Sequence, residues 1–296
     1  MNSITIAAPA KVNIFLKILN RRKDGYHNIF TLFERVSLSD TITIKKRPSG
    51  IKVTSNVTIT GKPEDNLAYK AAFAILRHEN IDSGVSIHIN KRIPIAAGLG
   101  GGSSDAASTL LAVNKLYRLG LKKEALMKIG RKLGADVPFF ILEKPFAYAK
   151  GAGDRLEIVP QRKRFWHIII NPGFKVATKD IYQALDKARA RRLTKKAPNA
   201  TINRPVRGPL QADVLEPMMH NDLEEIVISK RVVIGTILRR LANLLGTKVI
   251  VSGSGPSVFC LYETRKEAEK AKELIFSSIP GRERKGWHLV IAKTLV

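Results

Sequence analysis

The sequence of 296 residues contains one cysteine, Cys260, which excludes any disulfide within the chain. Cys260 stands in an apolar run, so we expect a buried thiol and a reducing cytoplasm. No stretch approaches the roughly 18 consecutive apolar residues that a membrane span needs. The first residues also lack the charged start and cleavage site of a secretory signal. We therefore expect a cytoplasmic globular protein without membrane contacts.

Acidic residues are scarce, with 25 Asp and Glu against 51 Lys and Arg, which gives a net charge of +26. Such a charge attracts polyanions, whether nucleic acid, anionic membrane or small phosphorylated molecules. The densest patch, residues 187–207, has eight basic residues and no acid. It contains prolines and no aromatic residue, which favours a solvated loop over a nucleic-acid interface. Specific nucleic-acid binding is not expected, although a polyanion-binding protein is the alternative from a different functional class.

The hydrophobic pattern predicts a mixture of strands and helices in both halves of the chain. In the first half we expect strands at 3–20, 29–37, 40–47, 51–60 and 84–94, and helices at 66–80, 103–117 and 122–134. In the second half we expect strands at 165–173 and within 248–262, another at the C-terminal end, and helices near 178–191, 221–229, 231–245 and 264–277. This pattern favours an α+β class with helices over an antiparallel sheet, and a boundary near 158–164.

Residues 93–107, IPIAAGLGGGSSDAA, place four glycines within five positions directly before a predicted helix. Glycine costs conformational entropy, so the cluster implies a tight turn or close approach by another group. Free N–H groups, a helix N-terminus and the hydroxyls of Ser103 and Ser104 would together make an anion site. We therefore favour phosphate binding, with either serine on a phosphate oxygen or Mg²⁺, over a tight turn capped by Ser103. Asp105 is interpreted as an acid that serves the helix dipole.

Three phosphate-binding signatures do not fit this loop. The Walker A pattern needs a lysine after the glycines, and none follows here. The dinucleotide fingerprint needs a third glycine where Ser103 stands and an acid about 20 residues further on. The His-Arg-Asp and Asp-Phe-Gly motifs of protein kinases are absent from the sequence.

The stretch PIAAGLGGGSSDAA resembles the central motif of the GHMP kinases, which phosphorylate small hydroxylated metabolites. Two more motifs of that family stand in their expected places, PAKVNIFL at 9–16 and VSGSGPSVF at 251–259. The segments DGYH at 24–27, LGADVPFF at 133–140 and NDLE at 221–224 resemble the branch of the family that acts on a cytidylylated methylerythritol. These motifs follow one another in the right order along nearly the whole chain.

The resemblance implies a two-domain α+β fold. Residues 1–160 should form a domain like the second domain of ribosomal protein S5, and residues 161–296 a ferredoxin-like domain. It also implies that ATP, with Mg²⁺, phosphorylates the 2-hydroxyl of the cytidylylated methylerythritol in the non-mevalonate isoprenoid route. The expected partners are these small molecules, and a homodimer is left open. A GHMP kinase for another alcohol is the nearest alternative.

Lys11 and Asp136 are the catalytic pair that the resemblance implies. Asp136 stands beside apolar residues, where a carboxylate is poorly solvated unless it is paired, and this suits a catalytic base. Its position also fits a helix N-cap with Pro138 just inside the helix. Lys11 is costly to bury unpaired in its apolar strand, although an edge-strand lysine in solvent is the alternative. We expect Asp136 to orient or deprotonate the hydroxyl while Lys11 fixes Asp136 and the developing charge.

The DGYH segment is the expected cytosine site. Gly25 permits a turn, Tyr26 offers an aromatic face for the base, and His27 can hydrogen-bond the base edge. Asn13 faces the same side of its strand as Lys11 and is expected to contact substrate. The resemblance adds Tyr182 as a second aromatic residue that stacks on the base. It also adds Gly253 and Gly255 as substrate contacts.

The resemblance assigns ATP to the glycine loop and its neighbourhood. The expected ATP contacts are Pro94, Ala96, Ala97, Gly98, Leu99, Gly100, Gly101, Gly102, Ser103, Ser104 and Asn66. Asn66 fits equally well as the N-cap of the helix that follows it. Mg²⁺ should arrive with ATP, held largely by phosphates and water, and Ser104 is the one protein ligand that we name for it.

Overall fold

The computed structural model describes residues 2–191 and 210–296 as two sheets with helices packed against them. The strands are β1 (Ser3–Arg21), β2 (His27–Arg47), β3 (Ile51–Ser55), β4 (Gly84–Asn90), β5 (Phe146–Gly151), β6 (Arg155–Val159), β7 (Trp166–Asn171), β8 (His220–Asn221), β9 (Ile250–Val251), β10 (Val258–Tyr262) and β11 (His288–Lys293). The helices are α1 (Leu67–His78), α2 (Gly101–Tyr117), α3 (Lys123–Arg131), α4 (Val137–Leu142), α5 (Thr178–Arg191), α6 (Ala212–Met218), α7 (Glu224–Lys230), α8 (Val232–Leu245) and α9 (Arg265–Ser278), with a 3₁₀ helix at Pro63–Asp65.

The first sheet has the order β3-β4-β2-β1-β8, and β5 and β6 extend it from β2. The strands predicted at 29–37 and 40–47 are one continuous strand, β2, which pairs with β1 along most of its length. The register of that pairing shifts between Pro9 and Ala10, where proline has no N–H for the ladder. On its other edge, the first half of β2 pairs with β5 and the second half with β4.

The second sheet is antiparallel throughout, with the order β11-β7-β10-β9. Helix α9 packs on it through Ala268, Ala271 and Ile275, and begins with a capping box formed by Thr264 and Glu267. The predicted arrangement of helices over an antiparallel sheet is confirmed here.

Helix α2 lies against β1 and β2, beside α1 and α4. Ala106, Leu110 and Val113 recur at helical spacing and are fully buried on one face of the helix. The prediction placed its start near Ser103, but it begins at Gly101 after the left-handed Gly100. The strand predicted at 51–60 ends earlier, at Ser55.

Two later segments return to the first sheet. Strand β8 pairs in parallel with β1 at Phe15 and Leu16, and Thr294 forms a bridge with Val36. The predicted division at residue 160 falls between β6 and β7, and it stays a prediction. None of the helices in the described ranges has the length and hydropathy that crossing a membrane requires.

Candidate active site

A cavity of about 860 Å³ brings together most of the residues that the sequence singled out. It is lined by the glycine loop, the inner face of β1, the DGYH turn, the start of α4, one face of α5 and the turn before β10. From the predicted set it contains Lys11, Asn13, Tyr26, His27, Pro94, Ala96, Ala97, Gly98, Leu99, Gly100, Gly101, Gly102, Ser103, Asp136, Tyr182 and Gly253. Segments far apart in the sequence thus share one concave surface.

The glycine loop presents a run of free backbone donors at the start of α2. Gly98 and Gly100 have φ values of 76° and 70°, and Ala96 also has a positive φ of 54°. The N–H groups of residues 98–103 donate no hydrogen bond to any part of the chain that the structure describes. Alternating left-handed residues ahead of a helix N-terminus make a concave array of donors that binds anions.

The glycines of this loop serve different purposes. A Cβ on Gly98 would stand 2.1 Å from the carbonyl oxygen of Ser252, and one on Gly100 would stand 2.9 Å from the Phe140 ring. A Cβ on Gly102 would meet nothing closer than Leu67, at 3.5 Å. The close approach that the sequence predicted is therefore made, at Gly98 and Gly100, by other parts of the protein itself.

The two serines that follow the glycines lie in different surroundings. Ser103 lines the cavity, and Gly100 rather than Ser103 occupies the N-cap position. Ser104 is fully buried, does not line the cavity, and its Oγ has no hydrogen-bond partner within the described residues. The structure thus brings Ser103, and not Ser104, to the position where a bound anion would lie.

Asp105 belongs to a buried ion triad that the sequence interpretation missed. Lys91 Nζ lies 2.9 Å from Asp105 Oδ2 and also pairs with Asp40. Burial raises the pKa of Asp105 to about 7, against the opposing effect of Lys91, and the Asp40 carboxylate adds to the rise. Asp105 therefore holds a lysine beneath the loop instead of serving the helix dipole.

Lys11 is buried on the interior of the sheet. Its backbone pairs with β2 on one side and donates to the carbonyl of Leu99 on the other, 3.0 Å away. The alternative of an edge-strand lysine in solvent is therefore wrong. Its Nζ lies 3.6 Å from Asp136 Oδ2, donates to Asn13 Oδ1, and stands 4.9 Å from the centre of the Phe33 ring. Burial lowers the pKa of Lys11, and Asp136 opposes that shift.

Asn13 is held in one orientation by its own partners. Its Nδ2 donates to Thr31 Oγ1 at 2.9 Å, and Thr31 in turn donates to the carbonyl of Phe15. The amide oxygen of Asn13 is therefore directed at Lys11, on the strand face that the two-residue spacing predicted.

Asp136 stands at the N-cap of α4, with Pro138 in the first turn, as the sequence allowed. Its side chain caps no backbone N–H, and it is 29% exposed. The carboxylate is thus fixed by the backbone of a helix start while its oxygens face Lys11 and the cavity.

The far end of the cavity joins the DGYH turn to α5. Tyr26 is 64% exposed, whereas His27 is buried and its ring lies 5.2 Å from that of Tyr182, at 33°. His27 Nε2 lies 2.8 Å from Asp186 Oδ1. Burial raises the pKa of Tyr182, with a contribution from Asp136. Asp186 was missed, although its position four residues after Tyr182 places both on one helix face.

The Gly/Ser turn before β10 is positioned by the NDLE motif. Asn221 Nδ2 donates to the carbonyls of Val251 and Gly253, at 2.8 and 2.7 Å. Glu224 accepts a hydrogen bond from the N–H of Val251 at 2.9 Å. Gly253 lines the cavity, whereas Gly255 packs its backbone against Val227 away from it.

Asn66 and the basic segment are the remaining predicted features. Asn66 caps α1 by accepting from the N–H of Ala68, which confirms the N-cap interpretation, and its neighbour Leu67 lines the cavity instead. Residues 192–207 of the basic segment lie outside the described residues. Within the described ranges, no group of His, Cys, Asp and Glu side chains has the arrangement of a metal site.

Comparisons with known proteins agree with this geometry. Residues 66–144 match the family model for the GHMP kinases N terminal domain, and residues 211–276 that for the GHMP kinases C terminal. A 4-diphosphocytidyl-2-C-methyl-D-erythritol kinase of Geobacter metallireducens is 41% identical over 297 residues, 100% of both chains. The chain belongs to the 4-diphosphocytidyl-2-C-methyl-D-erythritol kinases of the GHMP family.

Two further relatives support this membership. The same-named kinase of Syntrophus aciditrophicus is 39% identical over 272 residues, covering 92% of this chain and 94% of its own. A crystal structure of a 4-(cytidine 5'-diphospho)-2C-methyl-D-erythritol kinase aligns with a TM-score of 0.77 at 33% identity, covering 98% of both chains. The expected family and the expected α+β GHMP kinase fold are confirmed.

Proposed function

We propose that this chain transfers the γ-phosphoryl group of ATP to the 2-hydroxyl of 4-diphosphocytidyl-2-C-methyl-D-erythritol, a step of non-mevalonate isoprenoid synthesis. The observation that carries the proposal is one cavity that holds an anion-binding loop, a lysine–carboxylate pair and an aromatic end with a histidine. A phosphoryl donor, a hydroxyl and a nucleobase are the three groups that such a surface can bind.

The glycine loop supplies the donor site in this proposal. The free N–H groups of residues 98–103 hydrogen-bond the phosphate oxygens, at the positive end of α2. Gly102 leaves room for this approach, and the buried Lys91, paired with Asp40 and Asp105, lies below the loop. Mg²⁺ would arrive with the nucleotide and neutralise the charge of its phosphates. Ser103 lines the cavity, so its hydroxyl is the protein group that we propose as a ligand of this ion.

Asp136 and Lys11 perform the acceptor chemistry. Phosphoryl transfer requires mainly positioning and charge stabilisation. The Asp136 carboxylate orients the substrate hydroxyl and takes up its proton as the bond to phosphorus forms. Lys11, held by Asn13, fixes Asp136 and balances the charge that develops on the transferring group. The apolar residues around Lys11 strengthen both effects by excluding water.

The base and the cell compartment complete the proposal. Tyr26 and Tyr182 offer aromatic faces to cytosine, and the ring nitrogen of His27 faces the edge of the base.

The net charge of +26 concentrates two anionic substrates around the cavity, so this charge needs no nucleic-acid function to explain it. Burial raises the pKa of Cys260 to about 11, which makes it an unreactive thiol and fits the cytoplasm.

The test is ADP release by the purified protein with ATP, Mg²⁺ and the cytidylylated methylerythritol. We expect release that depends on this acceptor, with little release when mevalonate, homoserine or no alcohol is supplied. Release with another alcohol and none with the cytidylylated compound would contradict the proposal and favour the alternative of a different GHMP kinase.

A further inference from the structure

The imidazole of His27 is held by a carboxylate from across the cavity. Its Nε2 lies 2.8 Å from Oδ1 of Asp186 on α5, and its side chain is 2% exposed. The other carboxylate oxygen of Asp186 lies 3.5 Å from Nε of Arg21, so both oxygens face a nitrogen group. An ionised carboxylate can only accept hydrogen bonds. The proton of the neutral imidazole therefore lies on Nε2.

This arrangement determines what the second ring nitrogen can do. Nδ1 of His27 makes no hydrogen bond with residues 2–191 or 210–296. In a neutral imidazole that carries its proton on Nε2, Nδ1 is an acceptor only. Since His27 lines the cavity beside Tyr182, this acceptor belongs to the wall of the base site.

We propose that Asp186 is a specificity-determining positioning residue, which makes His27 Nδ1 an acceptor and thereby selects cytosine over uracil. The inference rests on the proposed function. Cytosine has an amine donor at the position where uracil has a carbonyl acceptor. Nδ1 accepts from the amine, whereas against uracil two acceptors would face each other and both would lose their partners.

A merely structural role for Asp186 would be to fasten α5 to the hairpin of β1 and β2. That attachment is also made by Arg189, whose guanidinium donates to the carbonyls of Ile18 and Leu19, both at 2.6 Å. Substitution of Asp186 therefore leaves α5 attached to the hairpin and removes the group that keeps the proton of His27 on Nε2.

The experiment compares kcat/KM for the cytidylylated methylerythritol and for its uridylylated analogue. The proteins are the wild type, Asp186→Ala, Asp186→Asn and the control Asp180→Asn, an exposed acid on the same helix. We expect the cytidylyl-to-uridylyl ratio to fall at least about tenfold in both Asp186 variants, through KM for the cytidylylated compound. KM for ATP should not change, and Asp180→Asn should keep the wild-type ratio.

The outcomes separate this inference from the proposed function. Turnover of the cytidylylated compound with an unchanged ratio in folded Asp186 variants overturns the inference alone. No turnover of that compound by the wild type overturns the proposed function, and the inference with it. A second readout is the ¹⁵N NMR spectrum of histidine-labelled wild type without substrate. It should show His27 protonated on Nε2, and protonation on Nδ1 alone would also overturn the inference.

Discussion

Lys91 lies between two buried carboxylates directly below the glycine loop. Asp40 and Asp105 are fully or almost fully buried, and the N–H groups of Arg92 and Ile93 also donate to Asp40. Burial raises the pKa of Asp105, and the neighbouring Asp40 carboxylate adds to the rise, although Lys91 opposes it. Local patterns could not reveal this triad, because Asp40 and Lys91 are 51 residues apart in the chain.

Replacing Asp105 by Asn should make the free energy of unfolding less dependent on pH. The pKa of Asp105 rises from 3.8 to about 7 on folding, so the wild type loses stability as the pH rises across that interval. The variant lacks this titration. The free energy of unfolding of the variant minus that of the wild type should therefore increase from pH 5 to pH 8.

Urea unfolding at pH 5, 6, 7 and 8 measures this difference. Asp180→Asn, an exposed acid, serves as the control and should show no such trend. A difference for Asp105→Asn that stays constant or decreases with pH would contradict the assigned burial effect.

At the scale of elements, the buried helix face and the helix cap could be predicted from the sequence, whereas the exact start of a helix and the extent of a strand could not. The buried face of α2 follows from helical spacing, and the α1 cap follows from Asn66. The start of α2 at Gly101 depends on the left-handed Gly100, where a Cβ would also stand 2.9 Å from the Phe140 ring of another helix. The sequence pattern predicted two strands where the structure has one, β2. The two halves of β2 share β1 as a neighbour on one edge but pair with different strands, β5 and β4, on the other edge.

The glycine loop allows a paired test of what each glycine is for. Gly98→Ala should unfold or strongly destabilise the protein, because its Cβ would stand 2.1 Å from the Ser252 carbonyl at a φ of 76°. Gly102→Ala should leave the free energy of unfolding within about 1 kcal/mol of the wild type. It should nevertheless raise KM for ATP roughly tenfold or more, since a methyl group there obstructs the phosphates.

Thermal unfolding of the two variants measures their stability, and kinetics at varied ATP concentration measure their KM for ATP. If Gly102→Ala were stable and kept the wild-type KM for ATP, the phosphates would not approach the start of α2.

At the scale of the whole molecule, a buried cluster joins the two sheets. Oε1 of Glu34, on β2, accepts from Thr294 Oγ1 at 2.6 Å and lies 2.9 Å from His167 Nε2 on β7. Glu34 and His167 are fully buried. Their 133-residue separation explains why no sequence pattern indicated the contact. The family motifs located most of the cavity, but not the charged residues that support it from other elements.

Glu34→Ala should destabilise the second sheet as well as the first. The substitution leaves His167 buried without this acceptor, at a cost of about 1–3 kcal/mol, whereas the Thr294 hydroxyl also reaches the carbonyl of Phe165 at 3.3 Å. Glu157→Ala is the control, because Glu157 forms an exposed pair with Lys150, and this substitution should change the free energy of unfolding by less than about 1 kcal/mol.

Tryptophan fluorescence during urea unfolding is a suitable readout, since the two tryptophans, Trp166 and Trp287, pack with the core of the second sheet. Equal midpoints for Glu34→Ala and Glu157→Ala would mean that the cluster does not couple the sheets.

The central claim is that Asp136 acts on the acceptor hydroxyl with Lys11 beside it, and its most direct test is ADP release by wild type and Asp136→Asn. Asn has the shape of Asp without its charge, and Asp136 caps no backbone N–H, so the fold should be retained. The account predicts acceptor-dependent release by the wild type and a fall in kcat of at least about 100-fold in Asp136→Asn, with KM for ATP little changed. Wild-type kcat in a folded Asp136→Asn variant would contradict it.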